Sequence, residues 1–578
     1  MQAQEIWGKE AMMSRSEWVI NRVEALGRNG MVAAKHELAA EVGVAVLEDG
    51  GNAVDAAVAT AFAVGVVEPF MSGIGGGGLM LVFLAERNET VAIDFGMCAP
   101  LAARPDLYEL LPGQSATRFG WRAVKDDANL HGPLSIAVPG TVAGLATAAQ
   151  RYGTRPLAEL LQPAIRFARA GFPVSWHTSF EIAQDAALLA RYPSTRTIFT
   201  RDGLPLPVFT DLQPTVLRQP DLARSLEAIA IGGADVFYRG ELGKTLVEGL
   251  RGLGAILSEQ DLQAYTVRIG PPLWGTYRGF RIATAPAPSG GPTLLESLNL
   301  MACFDLASWG HNNERTLHVL IEAFRQAFVD RFTYLADPAF VPVPVDALTD
   351  PAYAQERATE IGERARPVIT PGMPERLGVE RVFARSLPNY GGGATTHICV
   401  VDRWGNAVSL TQTLLSAWGS RVVAPDTGIL LNNGMFWFDP EPGHANSIEP
   451  GKRPLSNMTP TLVFAEKELF LVLGAMGGRR IINAIAQIVS NVIDHGLGIQ
   501  AAITAPRIDC SVQPTAVSAR LDSTVIAQLR ERGHELLVVR EDFADSPFAS
   551  PVGILRDREG VLHGGANPYY PAMAIGLD

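Results

Sequence analysis

A chain of 578 residues, 47% hydrophobic and 19% charged, is long enough for several domains and carries ample apolar material for a large core. The formal net charge of −12 excludes a nucleic-acid partner: phosphate binding needs clustered Lys and Arg, and the basic residues here are outnumbered and scattered. The four cysteines, Cys98, Cys303, Cys399 and Cys510, contain no C-x-x-C pair, so neither a zinc knuckle nor a disulfide framework is expected, and most should be buried thiols.

The N-terminal stretch MQAQEIWGKEAMMSRSEWVINRV is charged throughout and lacks the apolar segment of a secretory signal, which gives a cytoplasmic location as the expectation. The run from Ala53 to Val67 is shorter than the roughly 20 residues that span a bilayer and contains Asp55. It reads as a buried helix, begun by a turn at Gly50 and Gly51 and an N-cap at Asn52, with Asp55 in the first turn where the helix dipole favours an anion. No charge run points to a membrane surface. Gly73, Gly75 and Gly78 satisfy G-x-G-x-x-G, but an apolar strand-like run follows them where a dinucleotide site needs a helix. Close approach of backbones is the reading adopted for these glycines.

Residues 139 to 335 read as mostly helical, with apolar residues three and four apart. Residues 337 to 394 are proline-rich, end in a glycine run and are expected to be a long connector with little regular structure. Beyond 395 the chain is strand-rich, broken by a helix near IINAIAQIVSNVIDHG and closing in the hairpin VGILRDREGVLHGG. The ten histidines form no H-E-x-x-H and no i, i+4 pair on a helix, so no metal and no cofactor are expected. His36 and His534 carry no further signal, and His397 allows a supporting or a structural role.

In YGGGATTHICVVDRWGNAVSLTQTL, the turn-like 402 to 406 joins two strands, so Val401 should face Ala407 and Thr395 should lie opposite Thr413. A threonine opening a strand after small, flexible residues suits a nucleophile that first attacks the carbonyl of Ala394 in its own chain. The freed α-amine, with an ordinary pKa of about 7.7–8.0, can then act as general base for the same hydroxyl. A plain loop entering a sheet is the alternative.

At this point the chain resembles the γ-glutamyltransferase family of threonine N-terminal-nucleophile (Ntn) hydrolases. The likeness runs from about residue 30 through GGNAVDAAVA, EPFMSGIGGGG, PGTVAGL, DPAFVPVPV, TTHICVVDRWGNAVSLTQT, GILLNN, GKRPLSNMTPT and GAMGGRRI. The resemblance implies an α+β fold, a four-layer αββα sandwich built jointly by two subunits after self-cleavage between Ala394 and Thr395. The large subunit would be 1–394 and the small catalytic subunit 395–578, paired as a heterodimer, with association of two heterodimers left open. By motif position Thr395 is the nucleophile, Thr413 orients it, Gly477 and Gly478 supply oxyanion-hole N–H groups, and Thr396 helps hold the amine or the scissile region.

The residues with which such enzymes grip a γ-glutamyl group are mostly replaced. Gly96 stands for the arginine expected before MCAP, Leu415 for an asparagine, Gly434 and Trp437 for a glutamine and an aspartate, and only Ser456 remains of a serine pair, followed by Asn457. A buried charge without its partner costs several kcal/mol, so free γ-glutamyl groups should bind poorly. Trp437, with Phe436, Phe438, Leu414 and Leu415, should make that side of the pocket apolar, and Arg479 and Arg421 are candidate carboxylate partners. Residues 440 to 456 look shorter than in members that carry a lid. The expected function is cleavage of a small-molecule acyl amide through a threonyl acyl-enzyme, with hydrolysis favoured over transfer because clamp, lid and secretion signal are missing. A true γ-glutamyltransferase acting on glutathione, and a non-catalytic scaffold, are the alternatives.

Overall fold

Fourteen strands build two seven-stranded sheets in the computed structural model, which describes residues 20–114, 121–372, 394–543 and 547–578. In chain order they are β1 (Ala25–Gly27), β2 (Gly30–Ala34), β3 (Gly77–Leu84), β4 (Glu89–Phe95), β5 (Arg268–Gly270), β6 (Leu273–Tyr277), β7 (Phe280–Thr284), β8 (Ala394–Asp402), β9 (Ala407–Leu415), β10 (Thr461–Ala465), β11 (Glu468–Met476), β12 (Ser550–Arg556), β13 (Leu562–Ala566) and β14 (Met573–Leu577). One sheet runs β5-β4-β3-β9-β8-β2-β14 and the other β1-β13-β12-β11-β10-β7-β6, with every pairing antiparallel. Each sheet draws strands from both sides of residue 394.

The sheets pack face to face through Ala33, Leu81, Cys399, Val401, Leu462, Val472 and Ile554. Alternate residues of β8, Ile398 and Val400, point the other way, onto α1 (Glu37–Glu48), α2 (Ala53–Val67) and α3 (Thr141–Tyr152). The outer face of the second sheet is covered by α4 (Gly291–Ala302), α5 (Glu314–Tyr334), α6 (Arg480–Ile493) and α7 (Ile499–Thr504). The result is the expected α+β, four-layer αββα sandwich. Because β8 and β9 are covered on both faces, all nine residues of each are buried.

Helix α2 begins as its sequence prescribes. Asn52 and Asp55 form a capping box, and every residue of the helix but Gly65 is buried. The glycines after it permit close approach, since a Cβ at Gly75 would meet the Leu430 carbonyl oxygen at 2.2 Å and one at Gly76 that of Thr413 at 2.3 Å.

Three expectations need correction. Strands β5, β6 and β7 interrupt the stretch read as helical. Their signal is the alternation in LWGTY and FRIAT around a tight turn at Arg278 and Gly279, both at positive φ. The segment read as a long connector with little regular structure holds two short helices, Val345–Leu348 and Pro351–Ala358, the latter capped by Asp350 with Pro351 at its first position; residues 373–393 of it lie outside the described residues. All four cysteines are free, but only Cys399 and Cys510 are buried, while Cys303 is exposed.

Candidate active site

The β8–β9 hairpin keeps the expected register from Val401 opposite Ala407 back to Thr396 opposite Gln412. There it slips, and Ala394 pairs with Leu415. Thr395 therefore sits in an irregularity against Thr413, freed from the ladder on that edge. Thr395 Oγ donates toward the Ala394 carbonyl oxygen at 2.5 Å and toward Thr413 Oγ at 3.3 Å. Thr413 Oγ donates to the same carbonyl at 2.5 Å and accepts the Leu415 N–H at 2.7 Å. Two hydroxyls thus converge on the carbonyl that precedes Thr395, at a place where Thr395 is only 3% exposed.

The turn end of the hairpin is fastened differently. Asp402 accepts from the N–H groups of Trp404 and Asn406, from Asn406 Nδ2 and from the N–H of Ala53 at the start of α2. One carboxylate closes the turn and ties it to the helix layer.

Across the sandwich, His397 packs on Gly474, where a Cβ would stand 2.0 Å from the ring. Its Nδ1 bonds Thr411 Oγ at 2.8 Å and its Nε2 meets Ser409 Oγ at 3.3 Å, while Ser409 donates to the Leu473 carbonyl and accepts the Thr461 N–H. Burial, helped by the Lys35 charge, pushes the His397 pKa down to about 3, so the ring is neutral and fully bonded. Its place is structural. From this contact β8 runs back to Thr395 and β11 runs forward to Gly477, so both leave the sandwich at the same edge. Gly477 and Gly478 have φ of 132° and 64°, and a Cβ on Gly477 would lie 2.8 Å from Ala549 Cα. Among the described residues neither glycine N–H donates to a protein acceptor.

Ser456 and Asn457 precede β10 at this edge and are held by Arg331 of α5, which donates to the Ser456 carbonyl at 2.6 Å and to Asn457 Oδ1 at 3.0 Å. Leu415, Phe436, Trp437 and Phe438 join one buried apolar cluster with Met97 and Met458, in keeping with the expected apolar wall. Leu414 differs: it faces the α1–α3 layer instead. Gly434 to Trp437 form a short 3₁₀ turn. At the Gly96 position, the N–H donates to Asp94 Oδ1 and Arg453 pairs with Asp94.

The two candidate arginines part company. Arg479 follows the glycines and is buried, its guanidinium 4.3 Å from the Phe332 ring centroid. Burial and then the neighbouring Arg331 push its pKa down to about 9, against the pull of Asp509. Arg421 is paired with Asp185 at 3.2 Å and donates to the Gly419 carbonyl. Its charge is matched within the fold by Asp185. Proximity in sequence to the hairpin was the misleading signal. Among the described residues one set of ligand-type side chains gathers, Asp439, Glu441 and His444, of which His444 Nδ1 and Asp439 Oδ2 already bond each other at 2.7 Å. No helix among the described residues is long and apolar enough to cross a membrane.

Sequence reasoning passed over Lys35, Glu68 and Arg331, all buried near this edge. A lone lysine or glutamate closing an apolar run looks like an element boundary, and only the fold brings them to this edge.

Residues 39–577 match the family model described as gamma-glutamyltranspeptidase. The chain is 36% identical over 567 residues to a glutathione hydrolase proenzyme of Bacillus subtilis, covering 96% of this chain and 92% of that one. It is 38% identical over 524 residues to the acylase ACY 1 proenzyme of Pseudomonas sp. strain V22, covering 90% of each. The solved structure of a cephalosporin acylase from Bacillus halodurans superimposes with a TM-score of 0.84 at 29% identity, over 98% of this chain and 99% of that one. A match through nearly the whole length, joined to the αββα sandwich, places this enzyme in the gamma-glutamyltranspeptidase family.

Proposed function

We propose that the protein is an autoprocessing amidohydrolase that cuts itself between Ala394 and Thr395 and then hydrolyses an acyl amide through a threonyl ester. The observation that carries this reading is the convergence of the Thr395 and Thr413 hydroxyls on the Ala394 carbonyl. In maturation, Thr395 Oγ bonds to the Ala394 carbonyl carbon, the bond from that carbon to Thr395 N breaks, and the hydroxyl proton passes to the departing nitrogen. Water cleaves the ester, leaving an Ala394 carboxylate and a free Thr395 amine. Thr413 stabilises the developing oxyanion by the hydrogen bond it already makes. Residues 1–394 and 395–578 become two chains held together by sheets that both contribute to.

In turnover, the Thr395 amine takes the Oγ proton as Oγ attacks the substrate carbonyl. Gly477 and Gly478 hold the oxyanion through N–H groups fixed by backbone that glycine alone adopts easily. The proton then goes to the leaving amine, and water resolves the ester. Leu415 and Trp437 line the acyl side, with Ser456, Asn457 and Arg479 at the polar rim.

The names of the relatives offer two readings, a glutathione hydrolase for the Bacillus subtilis protein and an acylase for the Pseudomonas protein. The second is supported here by Gly96, Leu415, Gly434 and Trp437, which leave a glutamate α-carboxylate and α-amine without the charged and amide partners such a buried group needs. Parallel assays with a γ-glutamyl anilide and a panel of uncharged and carboxylated acyl anilides test this. Acyl anilides should turn over at least about tenfold faster in kcat/KM; a preference for the γ-glutamyl compound would return the protein to the glutathione hydrolases.

A further inference from the structure

At the edge where Thr395 lies, one buried polar contact joins the two sheets and takes no part in the chemistry above. Lys35 follows β2, whose last residue, Ala34, pairs with Ile398 of β8, so it stands at the end of the sheet that carries Thr395. Its Nζ donates to Ser550 Oγ and lies 4.3 Å from the Tyr570 ring centroid. Ser550 opens β12 in the other sheet, so the contact crosses the sandwich. Lys35 and Ser550 are both buried, and among the described residues the Ser550 hydroxyl is the one hydrogen-bond partner of the ammonium. A buried hydrogen bond to a charged group is among the stronger contacts a fold makes, and it fixes the two groups that share it.

On its far side this contact backs Gly477. Ser550 pairs with Met476, the last residue of β11, and Gly477 is the next residue of that chain segment. Ala549, just before Ser550, lies so close to Gly477 that a Cβ there would stand 2.8 Å from Ala549 Cα and 3.1 Å from its Cβ. The Ala549 carbonyl accepts from Arg507 Nη2 at 3.1 Å, and Arg507 Nη1 donates to the Ile503 carbonyl of α7 at 2.9 Å. The Gly477 carbonyl in turn accepts from Arg480 Nε at 3.0 Å. Gly477 leaves the strand at a φ of 132°, a conformation that the missing side chain permits but does not hold. An N–H stabilises a developing oxyanion only when it is fixed before the charge appears. What fixes this one is its backing: Ala549, and beside Ala549 the Ser550 hydroxyl moored to the sheet of Thr395 by Lys35.

We infer that Lys35 and Ser550 are positioning residues, a tie between the two sheets that sets the Gly477 N–H at its working distance from the Thr395 hydroxyl. This rests on the reading of Thr395 as nucleophile and of Gly477 as an oxyanion donor. The test is steady-state kinetics of the cleaved enzyme on the preferred acyl anilide for the wild type, Ser550→Ala, Ser550→Thr, Lys35→Met, the Lys35→Met/Ser550→Ala double variant and Gly477→Ala, with a gel and a melting curve for each. Ser550→Ala and Lys35→Met should each lower kcat about fivefold and leave KM within about twofold, the pattern of a contact that acts in the transition state. The double variant should lie no more than about twofold below the slower single, because the two side chains act as one unit. Ser550→Thr, which restores the hydroxyl, should stay within about twofold of wild type. Cleavage at Thr395 should go to completion in all of them, since Thr413 and not Gly477 meets the Ala394 carbonyl. Ser550→Ala with the wild-type kcat, a loss confined to KM, multiplicative losses, an uncut Ser550→Ala chain, or Ser550→Thr no faster than Ser550→Ala would overturn the inference; the Ser550 variants decide it even if Lys35→Met does not fold. Gly477→Ala that keeps its activity removes the oxyanion reading and this inference together, whereas an impaired Gly477→Ala beside an unaffected Ser550→Ala removes this inference alone.

Discussion

The two ends of the β8–β9 hairpin are bonded in opposite ways. At the turn, Asp402 satisfies four donors and the register is regular. At the open end the register slips, two hydroxyls crowd one carbonyl, and among the described residues Thr396 Oγ and Gln412 Oε1 are buried without a hydrogen-bond partner. The first arrangement is what stability asks for. The second keeps reactive groups close and incompletely satisfied, which is the condition for a bond to change there, and the finished turn holds the unfinished end in place.

Perturbing either end should separate the two roles. Gly477→Ala at the open end would put a side chain on a φ of 132° and against Ala549, displacing the N–H proposed to hold the oxyanion. Amide hydrolysis should fall by about 10²- to 10³-fold, measured as kcat on the preferred acyl anilide. Retained activity would take Gly477 out of the site. Asp402→Ala at the turn should instead lower unfolding free energy by about 2–3 kcal/mol, since the buried N–H of Ala53 and three part-buried donors of the turn lose their acceptor, while cleavage at Thr395 still goes to completion. Denaturant unfolding of the cleaved protein checks the first part and a gel the second; loss of cleavage without loss of stability would break the distinction between the ends.

The mildest perturbation is pH. His177, His397 and His534 are buried and held neutral, each with its pKa pushed down to about 3 chiefly by burial. The unfolded chain takes up these protons near the ordinary value of about 6.5, so the stability they contribute is present above pH 6.5 and is lost as pH falls from there toward 3. The melting temperature should therefore decline progressively below about pH 6.5. A flat profile from pH 7 to 4.5 would mean that these rings are not buried neutral.

What could be read from the sequence follows where a local signal exists. Helix α2 was legible because a long, largely apolar run follows a capping asparagine, and the hairpin because two strand-like runs flank DRWGN. The β6–β7 hairpin was lost inside helical surroundings, although its alternation is plain once the Arg278–Gly279 turn is recognised. Leu414 and Leu415 are adjacent in sequence, yet one faces the helix layer and the other the apolar cluster of the site, as strand alternation requires. Arg421 needed Asp185, 236 residues earlier, to be understood. Lys35 and Ser550 are 515 residues apart in sequence, and only the sandwich brings their side chains together. Gly477 and Gly478 carry no local mark of an oxyanion hole, and their candidacy came from the family resemblance alone.

The central claim is that Thr395 attacks its own chain. The denatured intact mass of the purified protein, beside a Thr395→Ala variant, tests it most directly. The account predicts two fragments that meet between Ala394 and Thr395 in the wild type and a single chain in the variant. A wild-type chain that stays whole under conditions where it folds, or a Thr395→Ala chain cut at the same bond, would contradict it.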